Sequence, residues 1–212
     1  MNRKSMQLVF VCLFVVNVSA FAQSDDVPKY EIAAEFTTLE RASFGGKKAS
    51  AGVGARFTYN LNETFAFETA GCFFPERCSS CGGRMSQLVA GVKVGKRFEK
   101  WGFFAKGRPG VVSFSRAEFN PVRFTPGGPF PFEFEVNRAT SFAVDAGGVV
   151  EFYPSRRFVA RVDMGDTIIH FRKGVTNAVI VDSTNTLTLF PVFRPERTTH
   201  NFQFITSFGW RF

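Results

Sequence analysis

The chain has 212 residues, 45% of them hydrophobic, with 26 basic against 18 acidic side chains. That balance excludes an intrinsically disordered chain, and the length admits one large domain or two small ones. Beyond residue 22 no window of about 18 or more apolar residues occurs, which excludes an ordinary transmembrane helix.

The start of the chain is set apart. Arg3 and Lys4 precede an almost wholly apolar run from Met6 to Val16, and Ala20-Phe21-Ala22 follows with the small-x-small spacing of a signal-peptidase site. Residues 1–22 are expected to be a signal peptide and 23–212 a single exported domain; the alternative, an N-terminal anchor, has an apolar run too short for a span of about 20 residues. Removing that segment takes Arg3 and Lys4 and no acid, so the formal charge falls from +8 to +6, with 24 basic residues against 18 acidic ones.

From Lys29 onward the pattern alternates with a period of two, as strands do. Tyr30, Ile32, Ala34 and Phe36 share one face of a first strand over 29–41, opposite Glu31, Ala33, Glu35 and Thr37. A Gly-bearing polar loop, 43–48, leads to a second strand over 50–60, where Ala51, Val53, Ala55, Phe57 and Tyr59 oppose Arg56 and Thr58. The turn-forming residues Asn60-Leu61-Asn62-Glu63 connect to a third strand, 64–74, with Glu68 and Cys72 on its second face.

A loop over 75–84 holds Cys78 and Cys81 in a Cys-x-x-Cys. Export favours a small loop disulfide between them over a reduced redox pair, with Cys72 as a competing partner. Strand four, 86–98, sets Leu88, Val92 and Val94 against Lys93 and Arg97, with Lys96 on the apolar face near enough to the end to snorkel. Strand five, 101–115, carries Trp101, Phe103 and Val111 opposite Lys106 and Arg108. Pro109 lies inside it and predicts a bulge or kink, because a paired strand needs the N–H that Pro lacks.

The Pro- and Phe-rich stretch 120–138 reads as a loop. Strands six, 140–153, and seven, 158–167, follow, bearing Asp145, Glu151, Arg161 and Asp163 on one face and Phe142, Val144, Val150, Val162 and Met164 on the other. The segment 172–198 has alternation of its own around Asp182-Ser183-Thr184-Asn185, which predicts a projecting hairpin. Strand eight, 199–212, alternates His200, Phe202, Phe204, Thr206, Phe208, Trp210 and Phe212 with Asn201, Gln203, Ile205, Ser207, Gly209 and Arg211.

Two regularities define the class. Connections are short after strands two, four and six and longer after the others, as expected of a membrane barrel with one end in the periplasm. The charges Glu35, Arg56, Glu68, Lys93, Lys106, Asp145, Glu151, Arg161, Asp163 and Arg211 fall on one parity, while the other parity is apolar with Tyr30, Tyr59, Trp101 and Trp210 at strand ends. A lipocalin-like barrel would invert this arrangement; the wet face of an antiparallel sandwich is the alternative reading. The expected fold is therefore all-β, an eight-stranded antiparallel up-and-down transmembrane β-barrel with those ten charges forming a lumen network.

The terminal aromatic strand ending on Phe212, the alternating loops and the signal-like leader together resemble the outer-membrane protein A and X type barrels of Gram-negative envelopes. The resemblance covers the whole of 23–212 and is architectural. It implies residence in the cell outer membrane and recognition of the terminal strand, with Phe212 as its assembly signal, by the barrel-assembly machinery. It brings no catalytic signature, and no cofactor or metal ligand set is expected. Closing the barrel pairs strand eight with strand one, making Glu31 or Glu35 a partner for Arg211.

The expected function is that of a non-enzymatic envelope scaffold whose long loops, basic and Phe-rich, contact lipopolysaccharide or an extracellular ligand. A monomer is expected, without nucleic acid. Two other readings stand beside it: a narrow ion channel, and a lipid A-modifying enzyme built on His170 and His200, with Asp166, Thr198 and Thr199 nearby.

Overall fold

The computed structural model describes residues 27–43, 46–78, 82–124, 132–181 and 187–212. The proposed signal segment and Cys81 lie outside these residues, as does the side chain of Cys78. Among the described residues ten strands form: β1 (Tyr30–Ser43), β2 (Gly46–Asn60), β3 (Phe65–Cys78), β4 (Gly83–Arg97), β5 (Trp101–Phe124), β6 (Phe132–Ser155), β7 (Phe158–Phe171), β8 (Gly174–Val181), β9 (Leu187–Arg194) and β10 (Arg197–Arg211).

Eight of them close into an antiparallel barrel in the order β1-β10-β7-β6-β5-β4-β3-β2, while β8 and β9 pair as a separate hairpin between β7 and β10. The expected up-and-down eight-stranded barrel is the fold observed. Closure is made by β1 against β10 with Glu31 opposite Arg211, and Tyr30 and Phe212 exchange two backbone hydrogen bonds of 2.9 Å each at its end.

The alternation sets the two faces. Ile32, Phe36, Val53, Leu88, Val92, Phe103, Met164 and Phe208 point outward and are each about half exposed or more. So continuous an apolar exterior belongs in lipid, because a soluble protein keeps exposed apolar patches small. Rings gather at the end of the barrel where the connections are short, with Tyr30 5.4 Å from Tyr59, Trp101 4.8 Å from Phe152 and Phe158 4.8 Å from Trp210. Lys96 lies over Phe98 at 5.4 Å, its ammonium reaching toward that end.

At the opposite end, strands replace the expected loops. β1 runs to Ser43 and β2 starts at Gly46, so the polar segment 43–48 is mostly paired. Within 120–138, Asn120 pairs with Glu135, Pro121 with Phe134 and Phe124 with Phe132. Past the barrel wall the two strands of a hairpin still supply cross-strand partners for each other's backbone groups, so pairing extends beyond the packed lumen. Register shifts at Phe114/Glu118 and Pro121/Arg123 take up the irregular residues.

Pro109 also departs from expectation. It pairs in register with Val144, and the β4–β5 ladder keeps one register from Val89↔Gly110 to Val92↔Gly107 with the intervening pairs missing. The missing N–H therefore interrupts the ladder locally without a bulge. Gly91 faces that interruption, where a Cβ would stand 2.2 Å from the Gly107 carbonyl oxygen.

Candidate functional site

The lumen is filled in three tiers. Nearest the short turns is an ion network centred on Glu68 of β3, whose carboxylate accepts hydrogen bonds from Arg161 and Arg108 and lies 3.5 Å from the Lys93 ammonium. Arg161 also donates to Asp163 and Glu151; Lys93 pairs with Glu151; and Lys106 stands 3.0 Å from both Asp145 and Asp163. Arg56 donates to Glu35 at 2.9 Å, and Arg211 to Glu31 at 3.2 Å.

All ten of the charges read from the pattern thus point inward, as do Glu31, Arg97 and Arg108, which the alternation places on the same parity. Of the two acids considered for Arg211, Glu31 is its partner. β3 and β7 stand diametrically opposite in the barrel order, so the Arg161–Glu68 pair crosses the axis.

Above the ions, Gln203 of β10 donates to the Gln87 side chain of β4 at 3.1 Å and to Thr37 at 3.0 Å. β10 and β4 are again opposite strands, so this contact too crosses the axis. The third tier is apolar: Leu39, Phe74, Met85, Val112, Phe114, Ala143 and Ile169 pack into one buried cluster. Gly52 leaves the space Phe74 fills, since a Cβ there would come within 2.7 Å of its ring. This tier was not expected from the charges alone, and its signal was the bulky residues near the far end of the inward parity.

Beyond the cluster the barrel opens into a mouth of about 640 Å³, lined by Arg41, Arg138, Arg172, Lys173, Arg194 and Arg197 together with Phe114, Ile169 and Phe171. At its edge Glu76 is held by Lys48 at 2.5 Å. The Lys48 and Ser50 hydrogen bonds hold the Glu76 carboxyl below its ordinary pKa, helped by the charges of Lys48 and Arg41.

No protein-family model matches the sequence, and no curated protein does. Among solved structures, Neisserial surface protein A is 10% identical, the alignment covering 87% of this chain and 97% of that one at a TM-score of 0.53. This is the fold of a small outer-membrane barrel. Ail, the attachment invasion locus protein of Yersinia pestis, solved with the heparin analogue sucrose octasulfate, is 11% identical over 88% of this chain and 99% of that one at 0.48. The outer membrane protease OmpT from Escherichia coli is 10% identical over 90% and 99%, at 0.42. At such identities the likeness is one of fold, and the first structure carries it.

On the lipid side of this outer-membrane barrel the two histidines lie on neighbouring strands, with His170 opposite Thr198 and His200 opposite Ile168. They do not form one site. His200 Nδ1 stands 2.5 Å from Asp166 Oδ2, whose other oxygen accepts the Asn201 N–H, while His170 contacts Thr198 at 3.3 Å and Glu196 at 3.4 Å. The His200–Asp166 pair orients an imidazole, yet no hydroxyl or thiol among the described residues hydrogen-bonds to its other nitrogen.

Cys72 points into the lumen with its thiol free, 3.7 Å from Glu35. It is therefore not engaged with another cysteine. Among the described residues no cluster of His, Cys, Asp and Glu has the arrangement of a metal site.

Proposed function

We propose that the chain is a non-enzymatic integral protein of the outer membrane, a closed barrel that presents its long hairpins outside the cell for surface contact. The observation that supports this most is the filling of the lumen. Two polar contacts, Arg161–Glu68 and Gln87–Gln203, cross the axis, and the apolar cluster around Phe74 and Met85 closes the bore above them. An eight-stranded barrel is only wide enough for its own side chains, so a bore plugged in this way is a scaffold. On this reading lipid and lipopolysaccharide surround the outward face, and the barrel-assembly machinery recognises the β10 terminus through Phe212.

Single-channel recording of the purified protein in planar bilayers tests the reading. We expect no steady conductance. A steady current reduced by Arg56→Gln or Lys106→Gln would replace the scaffold with a narrow channel.

The His200–Asp166 pair favours one other reading, an enzyme acting on lipid A. Mass spectrometry of lipid A from cells making the protein or its His200→Ala variant decides it: identical acylation supports the scaffold, and a change dependent on His200 supports the enzyme.

A further inference from the structure

Arg41 stands on the inward parity of β1, above Leu39, and is 2% exposed. Its Nε donates to Ser50 at 2.9 Å and its Nη1 to the Gly83 carbonyl at 3.0 Å, fixing the guanidinium across the mouth from β1 to β4. Its Nη2 is buried without a hydrogen-bond acceptor, and the Glu76 carboxylate, 4.0 Å away, is beyond hydrogen-bond reach. A buried, charged N–H group without an acceptor is costly, and it marks where an acceptor belongs.

Arg41 is part of the lining of the 640 Å³ mouth, whose rim adds Arg138, Arg172, Lys173, Arg194 and Arg197 and, among the described lining residues, no Asp or Glu. The volume lies within the range of small-molecule sites, about 300–1,000 Å³, and exceeds what one phosphate needs. Phe114 and Phe171 give the cavity an apolar side, their rings 5.8 Å apart. Cations around a concave floor with aromatic walls suit a ligand that is both anionic and ring-shaped.

We infer that the mouth binds a soluble glycan carrying phosphate or sulfate esters, with an ester oxygen accepting from Arg41 Nη2 and the sugar against Phe114 and Phe171. This rests on the outward placement of the hairpin end proposed above. The cavity lies over the lumen, on the inward parity, whereas the phosphates of membrane lipids surround the perimeter. A glycan free in solution is therefore the occupant.

The test is calorimetric titration of the full refolded chain, in phosphatidylcholine nanodiscs, with a persulfated disaccharide and with its unsulfated parent. We expect saturable binding of the sulfated sugar alone, weakened at high salt. Arg41→Gln should weaken it by roughly tenfold or more, the loss of a hydrogen bond to a charged group. Equal affinity in the wild type and a folded Arg41→Gln protein overturns the inference, as does equal binding of the unsulfated sugar.

If Arg41→Gln does not fold, judged by heat-modifiable gel migration, the exposed pair Arg172→Gln/Lys173→Gln decides: several-fold weaker binding supports the site and unchanged binding overturns it. Lipopolysaccharide added to the nanodiscs should leave the affinity unchanged; blocking by it overturns the soluble source. Absence of binding by the wild type overturns the site, while heat-modifiable migration and lack of conductance in the same preparation would leave the closed-barrel reading standing.

Discussion

Without the Arg161 guanidinium, Glu68, Glu151 and Asp163 would face one another in a lumen closed to bulk water. Breaking a buried pair by removing one partner costs about 3–5 kcal/mol. Arg161→Met should therefore lower unfolding stability by that order, while Ala160→Val on the lipid face stays within about 0.5 kcal/mol; urea unfolding in lipid vesicles compares them. Glu76 behaves differently, being at the mouth and half-buried. Because its carboxyl is held below its ordinary value, its pairing persists above that value and is lost only as pH falls through the lowered one. A carbon-13 titration of Glu76 should give a midpoint below that of an unperturbed glutamate, and Lys48→Met should raise it. At this scale the sequence was informative about direction and, apart from the choice of Glu31 or Glu35 for Arg211 across the closing strands, silent about partners. Period-two alternation shows that Glu68 and Arg161 face inward, but they lie 93 residues apart and meet only because closure places β3 opposite β7.

The β5–β6 hairpin shows where element boundaries stop being legible. Its strands continue to Phe124 and from Phe132, far past the apolar cluster that ends with Val112, Phe114 and Ala143. Pro121 belonged to a stretch read as a loop, yet backbone pairing does not depend on burial and runs past it, from Asn120↔Glu135 to Phe124↔Phe132. The reverse held at the ends of the barrel, where turn-formers such as Asn62 cap their connection by accepting the Thr64 and Phe65 N–H groups. Since β4 pairs with β5 only as far as Phe114 and β7 with β6 only from Phe142, the pairs from Glu118↔Asn137 onward join β5 and β6 alone, and replacing residues 118–137 by a short turn should leave the urea midpoint of the barrel within error. A large loss of stability would mean that the hairpin supports the lumen. Deleting Phe212 acts on closure instead: it removes both hydrogen bonds with Tyr30 and a ring contact of 5.7 Å. We expect slower accumulation of heat-modifiable barrel in cells, measured by pulse-chase, with little change in the final folded form.

For the whole molecule, the outward residues set its depth in the membrane. On β10 the stripe from Trp210 through Phe208, Phe204 and Phe202 ends at His200, and on the adjoining β7 the apolar run from Phe158 through Val162 and Met164 is interrupted at Asp166, the partner of His200. At about 3.4 Å per residue and a tilt of about 40°, Trp210 and His200 are about 25 Å apart along the axis, the height of the apolar band of a membrane barrel. The His200–Asp166 pair thus marks one interface and the Trp101, Trp210 and Tyr30 rings the other, an assignment that the alternation and aromatic ends carried from the start, because lipid demands the same pattern of every strand. A cation on this surface costs about 2–4 kcal/mol at the midplane and about 0–1 kcal/mol near an interface. Val162→Arg, near the middle of the band, should destabilise the barrel by the larger amount, and Thr198→Arg, beyond His200, by the smaller. Equilibrium folding into vesicles across a urea series measures both, and equal costs at the two positions would mean that the band does not lie between His200 and Trp210.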